Sequence, residues 1–299
     1  MNLRDMLDVS PEVRDAVRSG HAVVALSTTA LAHSIPDARR ASFASDTEAA
    51  VRGGGAVPAW TAVLDGVLHV GLSPAQLGRI CREPMAKITR RDLPAAAALH
   101  QTGATSASAA LVLASLAGIR FFAAGGIGGV RGADVSADLR ELCRTPVAVV
   151  CSGVKLAKNA SATLEYLETE GVPVVGMGTR EFPAYLCRTS GLALDCSVER
   201  ETDAARIAKA CWDLGFGGGV LLANPAPEHA CLEPDEAERV LGEALGQAQT
   251  QNVCGKRLTP FLLAQAAQLT DGRALDAAQA LLLNNARCAA RIAHEYARL

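Results

Sequence analysis

The chain has 299 residues, of which 49% are hydrophobic and 20% are charged, and its formal net charge is −2. This length suits one large domain or two small ones, and the near-neutral charge offers no basic surface for nucleic acid or an anionic membrane. No apolar run reaches the roughly 20 residues of a membrane span without a charge, glycine or proline. The N-terminus lacks the basic-then-apolar order of a signal peptide. We therefore expect a cytoplasmic enzyme with no membrane or nucleic-acid partner.

The nine cysteines are scattered along the chain, and most lie in apolar segments. An odd number without zinc-ligand spacing predicts reduced thiols, not disulfides or a zinc site.

The first third of the chain predicts a capped helix, a buried strand and a hairpin. Ser10 and Pro11 begin a short helix, and the apolar strand 22–26 follows it. The strand runs directly into the polar stretch 27–33, and open α/β folds place ligand groups at this point. A helix is predicted over 44–54. Asp65-Gly66 separates two apolar runs, which predicts a β-hairpin.

Two turns rich in small residues follow. Residues 101–108 precede an apolar helix over 109–117, so this turn is either a phosphate cradle or an ordinary helix cap. The strand 119–124 ends in the glycine-rich run 125–129, whose spacing is not that of a dinucleotide fingerprint. The plain interpretation of that run is a loop where two backbone segments pass closely.

Asp134, Ser136 and Asp138 place two carboxylates and a hydroxyl within five residues. One interpretation is a helix N-cap followed by an acid in the first turn. The other is a site for a hard cation or for sugar hydroxyls, because oxygen ligands suit Mg²⁺ and Mn²⁺.

The stretch 149–155 predicts a buried strand, a small-residue turn and Lys155 at the start of a helix over 156–170. Strands at 172–176 and 218–223 then alternate with further helices, predicted over 201–214, 234–251, 259–269 and 274–296. This alternation predicts an α/β fold with a mostly parallel sheet.

Several strings together resemble the pseudouridine-5'-phosphate glycosidase family, in order over roughly residues 10–298. They are residues 87–94, 125–129, 134–139, 149–155, 163–168, 187–190, 223–228 and 259–264. The resemblance implies a single domain over 1–299, an α/β/α sandwich around a largely parallel mixed sheet, and a homotrimer. It also implies reversible cleavage of a C–C bond between ribose 5-phosphate and uracil, with a divalent metal that is Mn²⁺, or else Mg²⁺ or Ca²⁺.

The family's functional residues carry over by position. Its Schiff-base lysine falls on Lys155 and its phosphate- and sugar-handling lysine on Lys87, and both are expected to be catalytic. Its metal-ligand aspartate falls on Asp134. The substrate-binding positions that carry over are Ser27, His33, Thr105, Ser106, Ala107, Ser136, Ala137 and Asp138.

The chain departs from the family where the base should bind. Ser27 stands in place of a proton-transferring glutamate, and a hydroxyl with a pKa far above 7 cannot do a carboxylate's acid–base work. Ala278 stands in place of an asparagine that contacts uracil, and the loop before Asp134 is shortened. Ser27 is either a substrate hydrogen-bonding group or a space-filler, and for His33 a structural role is favoured over a catalytic one.

These departures favour a C-glycosynthase similar to the enzymes that C-ribosylate an aromatic polyketide acceptor in antibiotic biosynthesis. In that hypothesis Lys155 forms an iminium with C1 of ribose 5-phosphate, which an aromatic carbon attacks. The first alternative is a pseudouridine-5'-phosphate glycosidase that uses uracil. The second is a sugar-phosphate binder without catalytic activity.

Overall fold

The protein is described here by a computed structural model that covers residues 6–156 and 159–299, without the side chain of Lys256. Its strands are β1 Leu7–Val9, β2 Val23–Ser27, β3 Val57–Leu64, β4 Val67–Val70, β5 Ala86–Ile88, β6 Gly103–Thr105, β7 Phe121–Ala123, β8 Val130–Arg131, β9 Asp134–Val135, β10 Ala148–Cys151, β11 Val174–Met177, β12 Cys196–Val198 and β13 Leu221–Ala223. Its helices are α1 Pro11–Arg18, α2 Thr29–His33, α3 Asp37–Gly53, α4 Pro74–Arg82, α5 Leu93–Ala98, α6 Ala107–Leu116, α7 Ala137–Leu142, α8 Ala160–Thr169, α9 Glu201–Asp213, α10 Pro234–Thr250, α11 Leu258–Leu269 and α12 Arg273–Tyr296.

One large sheet organises the fold. Its strand order is β1-β4-β3-β2-β7-β10-β13-β11-β12, with β6 paired to β3 and β5 paired to β6. Pairing is parallel except where β3 meets β4 and β6. The central strands are apolar on both faces because helices cover both sides of the sheet. The fold is therefore the α/β/α sandwich that the sequence predicts.

Alternate residues of the central strands face two separate cores. Leu26, Phe121 and Val150 pack with α3, α9 and α12 on one face. Ala25, Phe122 and Val149 pack with α1, α6, α7 and α8 on the other. Both faces therefore hold the sheet rigid, and its strand ends form a fixed platform.

The Asp65-Gly66 hairpin is confirmed. Asp65 has φ 51° and Gly66 has φ 84°, which is the turn geometry that favours these two residue types. Across the turn, Val63 pairs with Leu68 and Leu64 with Val67.

Two helix starts differ from those predicted by more than two residues. Helix α3 begins at Asp37, not at 44. Pro36 is its N-cap residue, and the fixed φ of this proline (−57°) suits the start of a helix directly after it. Helix α8 begins at Ala160, not at 156, and the Asn159 side chain caps it by accepting from the Ala162 N–H at 2.8 Å. Lys155 therefore precedes the helix, and residues 157–158 of the predicted helix lie outside the described residues.

The helix-cap interpretation of the acidic segment is confirmed. Ser136 caps α7 and accepts a hydrogen bond from the Asp138 N–H at 3.2 Å, as a helix-cap interpretation requires. The short hairpin β8–β9 immediately before it was not predicted, and it pairs Arg131 with Asp134.

All nine cysteines are free thiols. Within the described part of the chain, no helix combines the length and the apolar character needed to cross a bilayer.

Candidate active site

A cavity of about 310 Å³ opens at the carboxyl ends of β2, β7 and β10. In sheets of this type, ligands bind at that edge because the strand ends and helix N-termini converge there. The cavity collects residues that are far apart in the chain, from Leu26 to Leu282. Every site residue predicted from the sequence lines it except Thr105 and Ala107.

Lys155 reaches the cavity from a turn that only glycine can form. Gly153 has φ +88°, and a Cβ at this position would lie 1.9 Å from the Pro183 carbonyl oxygen. The Lys155 N–H donates to the Ile127 carbonyl at 2.8 Å, which fixes the backbone just before the side chain departs. About a quarter of the side chain is exposed (28%), so the amine is accessible from the cavity.

Asp138 faces Lys155 and is held in place by the backbone. Its two carboxylate oxygens accept hydrogen bonds of 2.9 Å from the N–H groups of Ser108 and Gly128. One of these oxygens lies 3.8 Å from the Lys155 Nζ. A Cβ at Gly128 would collide with the Ser136 side chain at 2.0 Å, so the glycine-rich run permits this close approach.

The N-terminus of α6 presents polar groups to the same cavity. Ser106 caps the helix, its hydroxyl lies 3.0 Å from that of Ser108, and both serines line the cavity. The Ser108 N–H is engaged by Asp138 and the Ala109 N–H by the Ser106 hydroxyl, so the serine hydroxyls and the positive end of the helix dipole are the groups that favour an anion here. The phosphate-cradle interpretation therefore gains a location beside Lys155.

Thr105 has a different place from the one predicted. Its N–H donates to the Thr28 Oγ1 at 3.0 Å and its hydroxyl donates to the Thr61 carbonyl at 2.7 Å. The residue is fully buried and does not line the cavity. Thr28 and Thr61, which sequence reasoning did not select, join it in a buried network that fixes β6 against the end of β2.

Asn285 is a second feature that sequence reasoning missed. Its side-chain amide donates to the Ala124 carbonyl at 2.9 Å and to the Ser152 hydroxyl at 3.0 Å. Its oxygen accepts from the Asn224 amide at 2.8 Å. A fully buried asparagine thus joins the ends of β7, β10 and β13 beneath the site. The signal in the sequence is an amide pair, Asn284-Asn285, in the middle of an otherwise amphipathic helix.

The side of the cavity near α2, α11 and α12 is mostly apolar. Ala278 lies here, and the wall consists of Ile35, Trp60, Leu263, Leu275 and Leu282. Ser27 at the end of β2 and His33 at the end of α2 also line the cavity. The cavity therefore has a polar half around Lys155 and Asp138 and an apolar half around Ala278.

One ring nitrogen of His33 has no hydrogen-bond partner. Its Nε2 is buried, and within the described part of the chain it makes no hydrogen bond. Burial lowers the pKa of His33 below its usual value of 6.5, and the nearby charges of Lys87 and Arg40 lower it further. These effects favour the neutral form of the ring.

The metal site expected at Asp134 depends on few protein ligands. Among the described residues, no group of three or more His, Cys, Asp or Glu side chains is arranged to hold a metal ion. Asp134 is exposed at the cavity edge. The residues present fit a largely hydrated Mg²⁺ or Mn²⁺ that takes one carboxylate from the protein and further oxygens from a phosphorylated ligand.

Comparisons with known proteins define the class to which this fold and cavity belong. The family model described as indigoidine synthase A like protein matches residues 12–295. The chain therefore belongs to the indigoidine synthase A-like family.

Named relatives narrow that class. The pseudouridine-5'-phosphate glycosidase of Rhodospirillum centenum is 49% identical to this chain, and the alignment covers 99% of this chain and 94% of that protein. The pseudouridine-5'-phosphate glycosidase of Deinococcus radiodurans is 46% identical, and the alignment covers 99% of this chain and 97% of that protein. The crystal structure of the prealnumycin C-glycosynthase AlnA in complex with ribulose 5-phosphate matches with a TM-score of 0.90 at 33% identity, covering 98% of this chain and 97% of that one. The resemblance to the pseudouridine-5'-phosphate glycosidases is confirmed, and the chain is an enzyme of the glycosidase type.

The predicted C-glycosynthase activity on an aromatic polyketide is wrong. The glycosidases share 46–49% of their residues with this chain, against 33% for the C-glycosynthase. Changes at two cavity positions, Ser27 and Ala278, outweighed the rest of the sequence in that prediction. The wider similarity supports the first alternative instead.

Proposed function

We propose that the protein cleaves the C–C glycosidic bond of pseudouridine 5'-phosphate, giving uracil and ribose 5-phosphate, through covalent attachment of the sugar to Lys155. The observation that carries this proposal is the placement of an accessible lysine amine within 3.8 Å of a backbone-held carboxylate, beside the N-terminus of α6. An amine, a carboxylate and an anion-binding helix end are the groups that a phosphorylated sugar undergoing amine addition requires.

The polar half of the cavity suits the sugar phosphate. Its phosphate would lie at Ser106 and Ser108, where two hydroxyl groups and the positive end of the α6 dipole meet a cavity that Lys87 also lines. Asp138 cannot move readily, because two backbone N–H groups hold its carboxylate. It would therefore orient both the Lys155 ammonium and the sugar hydroxyls of a bound substrate.

The proposed reaction has three steps. The Lys155 amine adds to C1 of the sugar while the C1–O4 bond breaks, and the amine proton is transferred to O4. A proton is then added to C5 of uracil as the C1–C5 bond breaks. The electron pair of that bond restores the C5–C6 double bond, and the nitrogen lone pair of Lys155 forms an iminium. Water then hydrolyses the iminium and releases ribose 5-phosphate.

A divalent cation at Asp134 would supply positive charge beside the phosphorylated sugar. The coordination that these residues fit is one carboxylate with water and substrate oxygens completing the shell. The homotrimer and the cytoplasmic location remain predictions from the sequence.

Borohydride trapping tests the covalent step directly. Protein incubated with ribose 5-phosphate and borohydride should gain the mass of a reduced pentose phosphate on the peptide containing Lys155. Lys155→Arg should gain none, although its charge and overall fold are retained. An adduct of equal yield in Lys155→Arg would refute the assignment of this lysine.

A second assay tests the substrate. Uracil release from pseudouridine 5'-phosphate should be abolished by Lys155→Arg and should far exceed release from unphosphorylated pseudouridine. The hydroxyl of Ser27 in place of a carboxylate keeps the silent sugar-phosphate binder as a second candidate. Ribose 5-phosphate binding without adduct formation and without uracil release would establish that candidate.

A further inference from the structure

Cleavage of the C–C bond requires a proton carrier on the aglycone side of the cavity, and this requirement rests on the function proposed above. If the sugar phosphate is fixed at the α6 N-terminus and Lys155, the uracil ring must extend towards the apolar half. Its C5 must receive a proton as the bond to the sugar breaks. The donor must therefore be a titratable residue that lines the cavity and is not already assigned to the sugar phosphate.

Few titratable groups of the described cavity wall can serve. Their residues are His33, Lys87, Asp134, Asp138, Lys155 and Tyr185. Asp138 and Lys155 are committed to each other and to the sugar. The function proposed above assigns Lys87, on β5, to the phosphate and Asp134, on β9, to the cation.

Tyr185 and His33 remain. Burial raises the pKa of Tyr185 far above the ordinary value for a phenol, so this residue is a poor proton carrier near neutral pH. Serine and threonine hydroxyls along the wall are weaker acids still. An imidazole titrates close to neutrality and can give a proton in one step and take one in the next.

We propose that His33 is the proton-transfer residue of this enzyme: as imidazolium it protonates C5 of the departing uracil, and as neutral imidazole it then accepts a proton from the water that adds to the Lys155 iminium. The proton lost to C5 is recovered from that water, so the residue returns to its starting state after each turnover. The proposal replaces the structural role that the sequence favoured for His33.

The packing of the ring supports this role. The imidazole lines the cavity, and its Nε2 is buried without a partner in the described structure. A purely structural histidine is normally held by hydrogen bonds at its ring nitrogens, because an unpaired buried nitrogen costs about 1 to 3 kcal/mol. The unpaired Nε2 can exchange a proton without first breaking a hydrogen bond to the protein.

The electrostatic surroundings are consistent with a carrier that changes state on substrate binding. Lys87 from β5 and Arg40 from α3 are the charged groups that depress protonation of His33, in addition to its burial. A bound phosphate dianion beside Lys87 would offset that positive charge. Substrate binding would therefore favour the imidazolium form at the moment when a proton is needed.

The first test separates proton transfer from sugar binding. His33→Gln should lower kcat for uracil release from pseudouridine 5'-phosphate at least 100-fold, a typical contribution of general acid–base catalysis. The equilibrium yield of the borohydride adduct with ribose 5-phosphate should stay within about threefold of wild type, because that reaction needs no proton at C5. The retained adduct also shows that the variant folds.

Two rescue experiments distinguish a proton carrier from a packing residue. His33→Ala should regain activity with added imidazole, in proportion to its concentration. The double variant His33→Gln, Ser27→Glu should have a kcat at least tenfold higher than that of His33→Gln alone, because a carboxylate at position 27 faces the same cavity. The wild-type kcat should fall as pH rises through the pKa of His33, and this limb should be absent in His33→Gln.

The outcomes are distinct. A wild-type protein that releases no uracil would refute the proposed function and this inference together. A wild-type protein that is active, with His33→Gln retaining more than a third of its kcat, would refute this inference alone. A kcat that is lowered 100-fold or more in Tyr185→Phe but not in His33→Gln would also refute this inference.

Discussion

Substitution of Asn285 by alanine would test whether the buried amide network determines the shape of the site. The substitution removes the partner of three buried groups: the Ala124 carbonyl, the Ser152 hydroxyl and the Asn224 amide, at 2.9, 3.0 and 2.8 Å. Each buried polar group left without a partner costs about 1 to 3 kcal/mol. Because small shifts relieve part of the loss, we expect the free energy of unfolding to fall by about 3 to 5 kcal/mol.

Asn284 provides a matched control one residue earlier in the same helix. Its side chain is half-buried and makes a single long hydrogen bond, 3.3 Å to the Pro225 carbonyl. Asn284→Ala should therefore cost about 1 kcal/mol or less.

The assay is urea denaturation followed by circular dichroism, together with borohydride trapping under native conditions. Asn285→Ala should lower both the denaturation midpoint and the adduct yield, because the amide joins the strand that precedes Lys155. Asn284→Ala should lower neither by much. Equal losses in the two variants would refute the argument that the network, and not the helix position, carries the stability.

Four further predictions follow from other contacts. A non-glycine residue in the left-handed backbone region costs about 1 to 3 kcal/mol. In thermal denaturation, Gly153→Ala should lower stability by more than this amount, because its Cβ would also collide with the Pro183 carbonyl, and it should reduce borohydride trapping at Lys155. The control Gly171→Ala (φ +69°, with no atom within 4 Å of the added Cβ) should show only the backbone cost. Asp138→Asn should lower uracil release at least 100-fold in steady-state kinetics, because one amide oxygen cannot accept from both the Ser108 and Gly128 N–H groups. The pKa of His33 is lowered in the folded state, so below about pH 6.5 the unfolded state binds more protons than the folded state. Stability to urea should therefore fall as the pH drops through that range, and it should fall less in His33→Gln. If Asp134 holds a cation, EDTA should lower the activity and added Mn²⁺ should restore it. Asp134→Asn should weaken the restoration by Mn²⁺. Activity that EDTA does not change would contradict the metal prediction.

The local features of the fold were predictable because they depend on neighbouring residues. Ser10 and Pro11 begin α1 as expected, and Asp65-Gly66 forms the predicted hairpin. The start of α8 was not predictable from the same signals, because residues 156–158 before Asn159 and 160–162 after it are all compatible with a helix. Its side-chain cap to Ala162 selects the boundary.

The site was only partly predictable for a related reason. Ser106, Asp138 and Lys155 carry recognisable chemistry, and the resemblance to a family placed them in one site. Thr28, Thr61 and Asn285 support that site from below, but their residue types are common in caps and helix faces. Only the packing of distant strands reveals that each is buried and fully engaged.

The sequence by itself determined the α/β class, the family and the residues proposed to act on a sugar phosphate, because apolar periodicity and short motifs are local properties of the chain. The tertiary structure decided the rest, because only sheet topology and helix packing bring the end of β2, the turn before Lys155 and helices α11 and α12 around one cavity. Ser27, His33 and Ala278 line that cavity together, and the unpaired Nε2 of His33 is visible only once the chain is folded.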